Sequence, residues 1–359
     1  MKFKKNLTAF AAAALAAATA LTGCTGGAAP SQTASQNSGD SAQLNIVTTI
    51  FPEYDWVRQI LGENAQAQVT LLAKDGVDMH SYQPSAADMR TIADCDLLIY
   101  VGGTSDAWVE EALANQANPD RQVLNLMEVL GDRVKTEELV EGMEPESHDH
   151  SHDHEEEEHD DHDHEEHEAV EHDHDHEEVA EEADEHIWLS LKNAQILCKA
   201  IQEALAQLDP DHAADYQQNL DRYNAQLAQL DEAYQQAVDG AACKTLLFGD
   251  RFPFRYLVDD YGLEYYAAFA GCSAETEASF ATVAFLAQKV DELQLPCVLT
   301  IDGAQHKIAQ TVVDSTTQKN QQVLSLNSMQ SVGSKQIEQG ASYLSIMEEN
   351  LQVLKQALA

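Results

Sequence analysis

Between Glu144 and Glu185 the chain carries eleven histidines, from His148 to His176, among 23 aspartates and glutamates and without one lysine or arginine. Val170, Val179 and a few alanines are all the apolar surface this tract offers against its own negative charge. It is therefore expected to be disordered without metal and to sit as an insert in whatever fold surrounds it. His-x-His spacing recurs at His148-Asp149-His150, His152-Asp153-His154, His162-Asp163-His164 and His172-Asp173-His174-Asp175-His176. Imidazole is mostly neutral at pH 7 and is the commonest zinc ligand, while neighbouring carboxylates draw cations in. The pattern points to a divalent transition metal without saying which. A solvated acidic tether is the plainer reading of the same charges.

The formal charge is −42, of which the tract supplies −23 and the rest of the chain −19. So acidic a surface is unsuited to a phosphate backbone, which excludes nucleic acid as a partner. At the N-terminus Lys2, Lys4 and Lys5 precede an alanine-rich apolar stretch from Leu7 to Leu21, the length of a secretory h-region and too short and small to span a bilayer. It ends in Leu21-Thr22-Gly23-Cys24, which resembles the bacterial lipobox, with Cys24 as the lipidated residue. Residues 1–23 are thus expected to be a lipoprotein signal peptide and 24–43 a flexible tether. The mature protein is expected outside the cytoplasm, held to the outer face of the cell membrane by more than one acyl chain. Five further cysteines, Cys95, Cys198, Cys243, Cys272 and Cys297, show no Cys-x-x-Cys pairing. They allow at most two disulfides. Cys243 and Cys297 each open an expected strand and are the candidates for one, with buried free thiols as the alternative.

Short apolar runs alternate with helix-length segments. In the first half they are Leu44 to Thr49, Ala67 to Leu72, Leu97 to Val101 and Val123 to Leu126; in the second, Lys244 to Phe248, Glu264 to Ala268, Cys297 to Ile301 and Gln322 to Leu324. Four strands on each side indicate an α/β fold of two lobes with mostly parallel sheets. Between them Tyr216, Leu220, Tyr223, Leu227, Leu230, Tyr234 and Val238 form one apolar stripe along a helix spanning 211–240. Asp209-Pro210 marks its start and Gly240 its end. The expected order is a lobe over 44–210 holding the insert at 144–185, a stiff linking helix over 211–240, and a second lobe over 241–359.

Two histidines outside the tract have more telling surroundings. His80 lies in Met79-His80-Ser81-Tyr82-Gln83-Pro84, just past an expected strand, where α/β sheets place their ligands. His186 lies in Glu185-His186-Ile187-Trp188-Leu189-Ser190, directly after the tract. Together these segments resemble the metal-binding receptors of ABC importers, the family that includes the receptor of the high-affinity zinc uptake system. Thr48-Thr49-Ile50-Phe51-Pro52, Tyr100-Val101-Gly102-Gly103 followed by Trp108, and the long helix extend the likeness over nearly the whole mature chain. The resemblance implies two (β/α)4-type lobes joined by one long rigid helix, metal in the cleft between them, and an ABC permease with its ATPase as partners of a monomeric receptor.

The second lobe departs from the family's pattern. Where the zinc receptors carry a third histidine, Phe248-Gly249-Asp250-Arg251-Phe252 presents Arg251, which stays protonated and cannot coordinate. Asp250 is the nearest substitute. The family's acidic ligand at the end of a later strand matches Asp302, with His306 close behind. The expected site is therefore His80, His186, Asp302 and Asp250, suited to Zn²⁺ and acceptable to Mn²⁺. The reading that follows is a Zn²⁺ receptor of an importer. A Mn²⁺ or Fe²⁺ receptor, and an adhesin or metal-buffering lipoprotein, are its rivals. An enzyme is not expected. His164-Glu165-Glu166-His167 is one residue too short for a His-Glu-x-x-His zinc site, and no Gly-x-Ser-x-Gly elbow is present.

Overall fold

The first four apolar runs form β1 (Leu44–Thr48), β2 (Ala67–Leu71), β3 (Leu97–Tyr100) and β4 (Gln122–Asn125); the second four form β5 (Thr245–Phe252), β6 (Glu264–Ala270), β7 (Cys297–Ile301) and β8 (Gln322–Leu326). A computed structural model describes residues 43–359 apart from 65, 115–116, 144–181, 274–276 and 304–305. The expected signal peptide, Cys24 and most of the tether and the tract lie outside the described residues. The strands pair in parallel as two four-stranded sheets, ordered β2-β1-β3-β4 and β6-β5-β7-β8. Parallel strands covered on both faces must be apolar throughout, and Ile46, Val47, Leu97, Leu98, Ile99, Leu246, Leu247, Phe248, Val298 and Leu299 are all buried. The α/β, two-lobed, parallel-sheet expectation holds.

Both sheets share one order, so in each the first strand lies between the second and the third. Successive connections then leave on opposite sides, and a crevice opens beyond the carboxyl ends of the strands. The loops that follow β2, β3, β6, β7 and β8, together with the end of β5 and the segment that follows the acidic tract, carry the side chains of the site described below.

Strand β5 runs further than its sequence suggests, to Phe252, because its pairing with β6 shifts register between Phe248 and Arg251. Gly249 sits in this irregularity. A Cβ there would lie 2.4 Å from the Cα of Ala309, so the helix Lys307–Ser315 can press against the strand only because the side chain is missing.

The long helix is observed over Ala213–Asp239, 27 residues, or about 40 Å at 1.5 Å per residue. Its buried positions are Tyr216, Leu220, Tyr223, Leu227, Leu230, Tyr234 and Val238, the seven of the sequence stripe. They pack against helices Phe51–Leu61 and Leu191–Leu208 toward one end and Arg255–Tyr261 and Tyr343–Ala357 toward the other. Hydrogen bonds fix the register: Asn219 Nδ2 donates to the Ile60 carbonyl at 2.9 Å, and Tyr234 Oη to the Met347 carbonyl at 2.7 Å. Leu227 is wholly buried, and trimming it to alanine would cost about 2–5 kcal/mol.

The C-terminal helix Tyr343–Ala357 ties the second sheet back to the first. Tyr343 is buried, donates its N–H to Asp55 at 3.0 Å and its hydroxyl to the Trp188 carbonyl at 2.6 Å, and packs edge-on to Trp56. The five described cysteines are all free thiols, so Cys243 and Cys297 are not bridged. No helix among the described residues is long and apolar enough to cross a membrane.

Candidate metal centre

His80 lies in a single 3-10 turn, Met79–Ser81, that follows β2. Its backbone N–H donates to the Asp78 carboxylate at 3.1 Å, which caps the turn. The ring Nδ1 is 2.7 Å from Ser105 Oγ on the loop after β3, and 3.7 Å from Glu185 Oε2. His186 precedes a second short turn, Ile187–Leu189, and is completely buried. Asp184 holds it twice, accepting from its N–H at 2.8 Å and facing its Nδ1 at 3.0 Å. Asp184 can only accept, so the His186 proton sits on Nδ1 and its Nε2 lone pair is bare; a His80 proton on Nδ1, toward Ser105 and the Glu185 carboxylate, leaves the second Nε2 bare as well.

Those lone pairs meet. His80 Nε2 and His186 Nε2 are 3.2 Å apart, although the residues are 106 positions apart in sequence. Two bare acceptors at this distance repel unless something positive lies between them, and here the Gln330 side-chain amide nitrogen lies 2.8 Å from one and 2.7 Å from the other. Two imidazoles on one tetrahedral zinc ion, at about 2.0–2.1 Å each, stand about 3.3 Å apart, so the pair is already spaced for a shared ion. Burial, and then the His186 ring, push the His80 pKa down to about 3. Its ring is therefore neutral, the form that ligates, across the physiological range.

A third donor arrives from the other side. One ligand atom each of His80, His186 and Cys272 lies within 4.8 Å of the other two, a grouping that the sequence reading missed. Cys272 follows β6; its N–H donates to Glu137 at 2.9 Å, and burial together with the Glu137 and Glu185 carboxylates pushes its thiol pKa up. Gly271 makes this approach possible, since a Cβ there would lie 3.0 Å from His186 Cε1 and 2.9 Å from the Phe252 carbonyl.

Asp250 and Asp302 are placed elsewhere, and both have structural partners. The Asp250 carboxylate accepts from Thr300 Oγ1 at 2.6 Å and from the Ile301 N–H at 3.2 Å. The register shift in β5 turns it toward β7, where it serves a strand N–H beyond the one paired position, Phe248 with Leu299. Asp302 accepts from Ser328 N and Oγ, at 2.5 and 2.8 Å, and from Ser331 Oγ at 3.2 Å, bracing the turn that carries Gln330. His306 Nδ1 lies 3.1 Å from Thr300 Oγ1, on the Asp250 side. Neither aspartate is in the described group of donors around His80 and His186.

Arg251 reaches across the cleft to Asp78 at 2.7 Å and donates to the Ser273 carbonyl at 3.4 Å, so it joins the His80 turn to the Cys272 loop. The last residues of the acidic tract also belong to the fold: Ala183 bridges to Thr136, and Asp184 and Glu185 are buried beside His186. Below the site lie buried carboxyls. Burial raises Glu53 and Glu185, and raises Asp106 to about 7.

Two parallel α/β lobes with converging nitrogen and sulfur donors between them define a cleft-type binding protein. Within that class, the profile of the family described as the periplasmic zinc-uptake complex component A matches residues 46–357, and the chain belongs to that family. It is 30% identical over 333 residues to the high-affinity zinc uptake system protein ZnuA of Bacillus subtilis, covering 92% of this chain and 93% of that protein. To the zinc-binding lipoprotein AdcA of Streptococcus pneumoniae it is 29% identical over 314 residues, 88% of this chain but 56% of AdcA, so it spans little more than half of that relative. The crystal structure of the Zn(II)-bound ZnuA-like domain of Streptococcus pneumoniae AdcA matches with a TM-score of 0.64 at 26% identity, covering 88% of this chain and 99% of that domain.

Proposed function

We propose that this chain captures Zn²⁺ between His80 and His186 and delivers it to an ABC permease driven by its ATPase. The observation that carries the reading is the pair of bare Nε2 atoms 3.2 Å apart, each ring fixed through its Nδ1. A preset pair binds tightly because the two rings need little ordering when the ion arrives, and only the Gln330 amide that bridges them has to give way. The partners are those of the family's transport role, and Cys24 anchors the monomer to the outer face of the membrane through its acyl chains. We read the protein as a carrier without catalytic activity. The fixed rings serve to hold an ion, and release must come from opening the cleft on the permease.

The test is His80→Ala, followed by calorimetric zinc titration in competition with a chelator. Loss of the tight site, at least about 100-fold in affinity, is the expected result, since removing even an outer-shell partner of a metal ligand costs about 10–100-fold. Unchanged affinity would place the ion elsewhere.

A further inference from the structure

We propose that Cys272 supplies a thiolate as the third protein ligand of this site and thereby makes it select thiophilic cations, Zn²⁺ above all, over Mn²⁺. The inference rests on the reading of His80 and His186 as ligands and adds the donor that sets specificity. Three observations carry it. The sulfur belongs to the only group of three or more such donors found among the described residues, with all ligand atoms within 4.8 Å. An imidazole nitrogen and a thiolate sulfur on one tetrahedral zinc ion stand about 3.6 Å apart, given bond lengths near 2.0 and 2.3 Å, so the loop need close by little more than about 1 Å. The loop is also tethered beside the two rings. Cys272 N–H is bound by Glu137, the Ser273 carbonyl by Arg251, and Gly271 lies against the His186 ring.

The topology supports the same assignment. In sheet order β6 occupies the place in the second sheet that β2 occupies in the first. His80 follows β2 and Cys272 follows β6, so the two edge strands deliver one donor each from opposite sides. The residues that the second lobe offers instead are spoken for: Asp250 by Thr300 and Ile301, Asp302 by Ser328 and Ser331. On binding, the S–H bond breaks, the sulfur lone pair forms the bond to the metal, and the proton leaves to solvent by way of the Glu137 carboxylate that faces it. Thiolate favours Zn²⁺, whereas Mn²⁺ prefers carboxylate, carbonyl and water oxygen.

The experiment loads the full chain with one equivalent of Co²⁺ and reads the near-ultraviolet sulfur-to-cobalt charge-transfer band, alongside Zn²⁺ and Mn²⁺ affinities. The histidine-rich tract contains no sulfur and cannot produce that band. The wild type is expected to show it. Cys272→Ser is expected to lose it and to lose at least about 10-fold in Zn²⁺ affinity, with Mn²⁺ affinity little changed. An unaltered metal-free melting curve for Cys272→Ser and for Cys272→Ala establishes that both variants fold. A band that persists in Cys272→Ser, or is absent from the wild type while His80→Ala still abolishes tight binding, overturns the thiolate and leaves the receptor reading standing. Tight binding that survives His80→Ala overturns the receptor reading itself.

Discussion

The wall of the cleft that carries the two histidines differs from the wall that faces it. On the first, each histidine is fixed at two points, one on its backbone and one on its ring: His80 by Asp78 and Ser105, and His186 by Asp184 through both its backbone N–H and its Nδ1. The His186 ring is wholly buried and rests against Trp188, whose indole N–H is itself bound by the Ser328 carbonyl. On the second wall Cys272 and Gln330 stand on loops after β6 and β8: Glu137 holds the Cys272 N–H, and the Gln330 side chain rests on Ser328 and on the two Nε2 atoms that an ion would take from it. A rigid wall paired with an adjustable one gives a division of labour. On the proposed reading the fixed imidazoles supply affinity for any borderline cation, and the donors of the facing loops decide which cation stays.

If that division is right, damage to the rigid wall must cost more than damage to the adjustable one. Asp184→Ala would leave two buried donors of His186 without a partner and free the ring to turn. The expected loss is about 10–100-fold in Zn²⁺ affinity by competition titration. Arg251→Ala removes the 2.7 Å bridge to Asp78 and the hold on the Ser273 carbonyl, but both Arg251 and Asp78 are partly solvated. Partly exposed ion pairs contribute about 1 kcal/mol or less, so the expected loss stays under about 10-fold. An Arg251→Ala effect larger than that of Asp184→Ala would reverse the comparison.

The same contrast separates what could be read from the sequence. The strands and the seven-residue stripe were legible because parallel strands and amphipathic helices impose a period, and every stripe position is buried. His80 and His186 stood in segments with a recognisable pattern around them. Cys272 had no such signal, being one cysteine in Gly271-Cys272-Ser273 without a partner at metal-ligand spacing. Only the sheet order, which places it opposite His80, brings it to the cleft, and that order is a three-dimensional fact. A Cys at the carboxyl end of a strand in the second half was the one cue available. Asp250 stands apart from the histidines because a register shift, which cannot be seen in a run of apolar and polar letters, turns its carboxylate onto β7.

Beneath the histidine wall, Asp106 tests how rigid that wall is. It is buried, accepts from the Gly102 N–H at 3.0 Å, and burial together with the nearby Glu185 carboxylate raises it from 3.8 to about 7. The folded protein keeps this proton where the unfolded chain has lost it. The contribution of Asp106 to stability is therefore largest at low pH, falls as the pH climbs from 3.8 to about 7, and is constant above. Melting curves of the metal-free protein should accordingly show wild type losing stability relative to Asp106→Asn between about pH 4 and 7, by an amount of the order of a few kcal/mol. Parallel curves for the two proteins would mean that the carboxyl is ionised and solvated in the fold, and that the wall above it is looser than its hydrogen bonds imply.

The smallest effect is expected from the largest deletion. Residues 144–181 hold all eleven of the tract's histidines, many near-equivalent donors with no composition that would fix their geometry, whereas the cleft fixes its rings before metal arrives. Removing 144–181 and joining Met143 to Glu182 keeps the Thr136 to Ala183 bridge, the Asp184 cap and Glu185. Calorimetry should then show fewer zinc ions bound in total, with the affinity of the tight site unchanged to within about a factor of two, less than about 0.5 kcal/mol. Extending the deletion through Glu185 should abolish the tight site, because it strips His186 of both its anchors. Loss of tight binding in the shorter deletion alone would show that the tract itself supplies ligands to the cleft, and the separation between a fixed site and a surrounding reservoir of donors would fail.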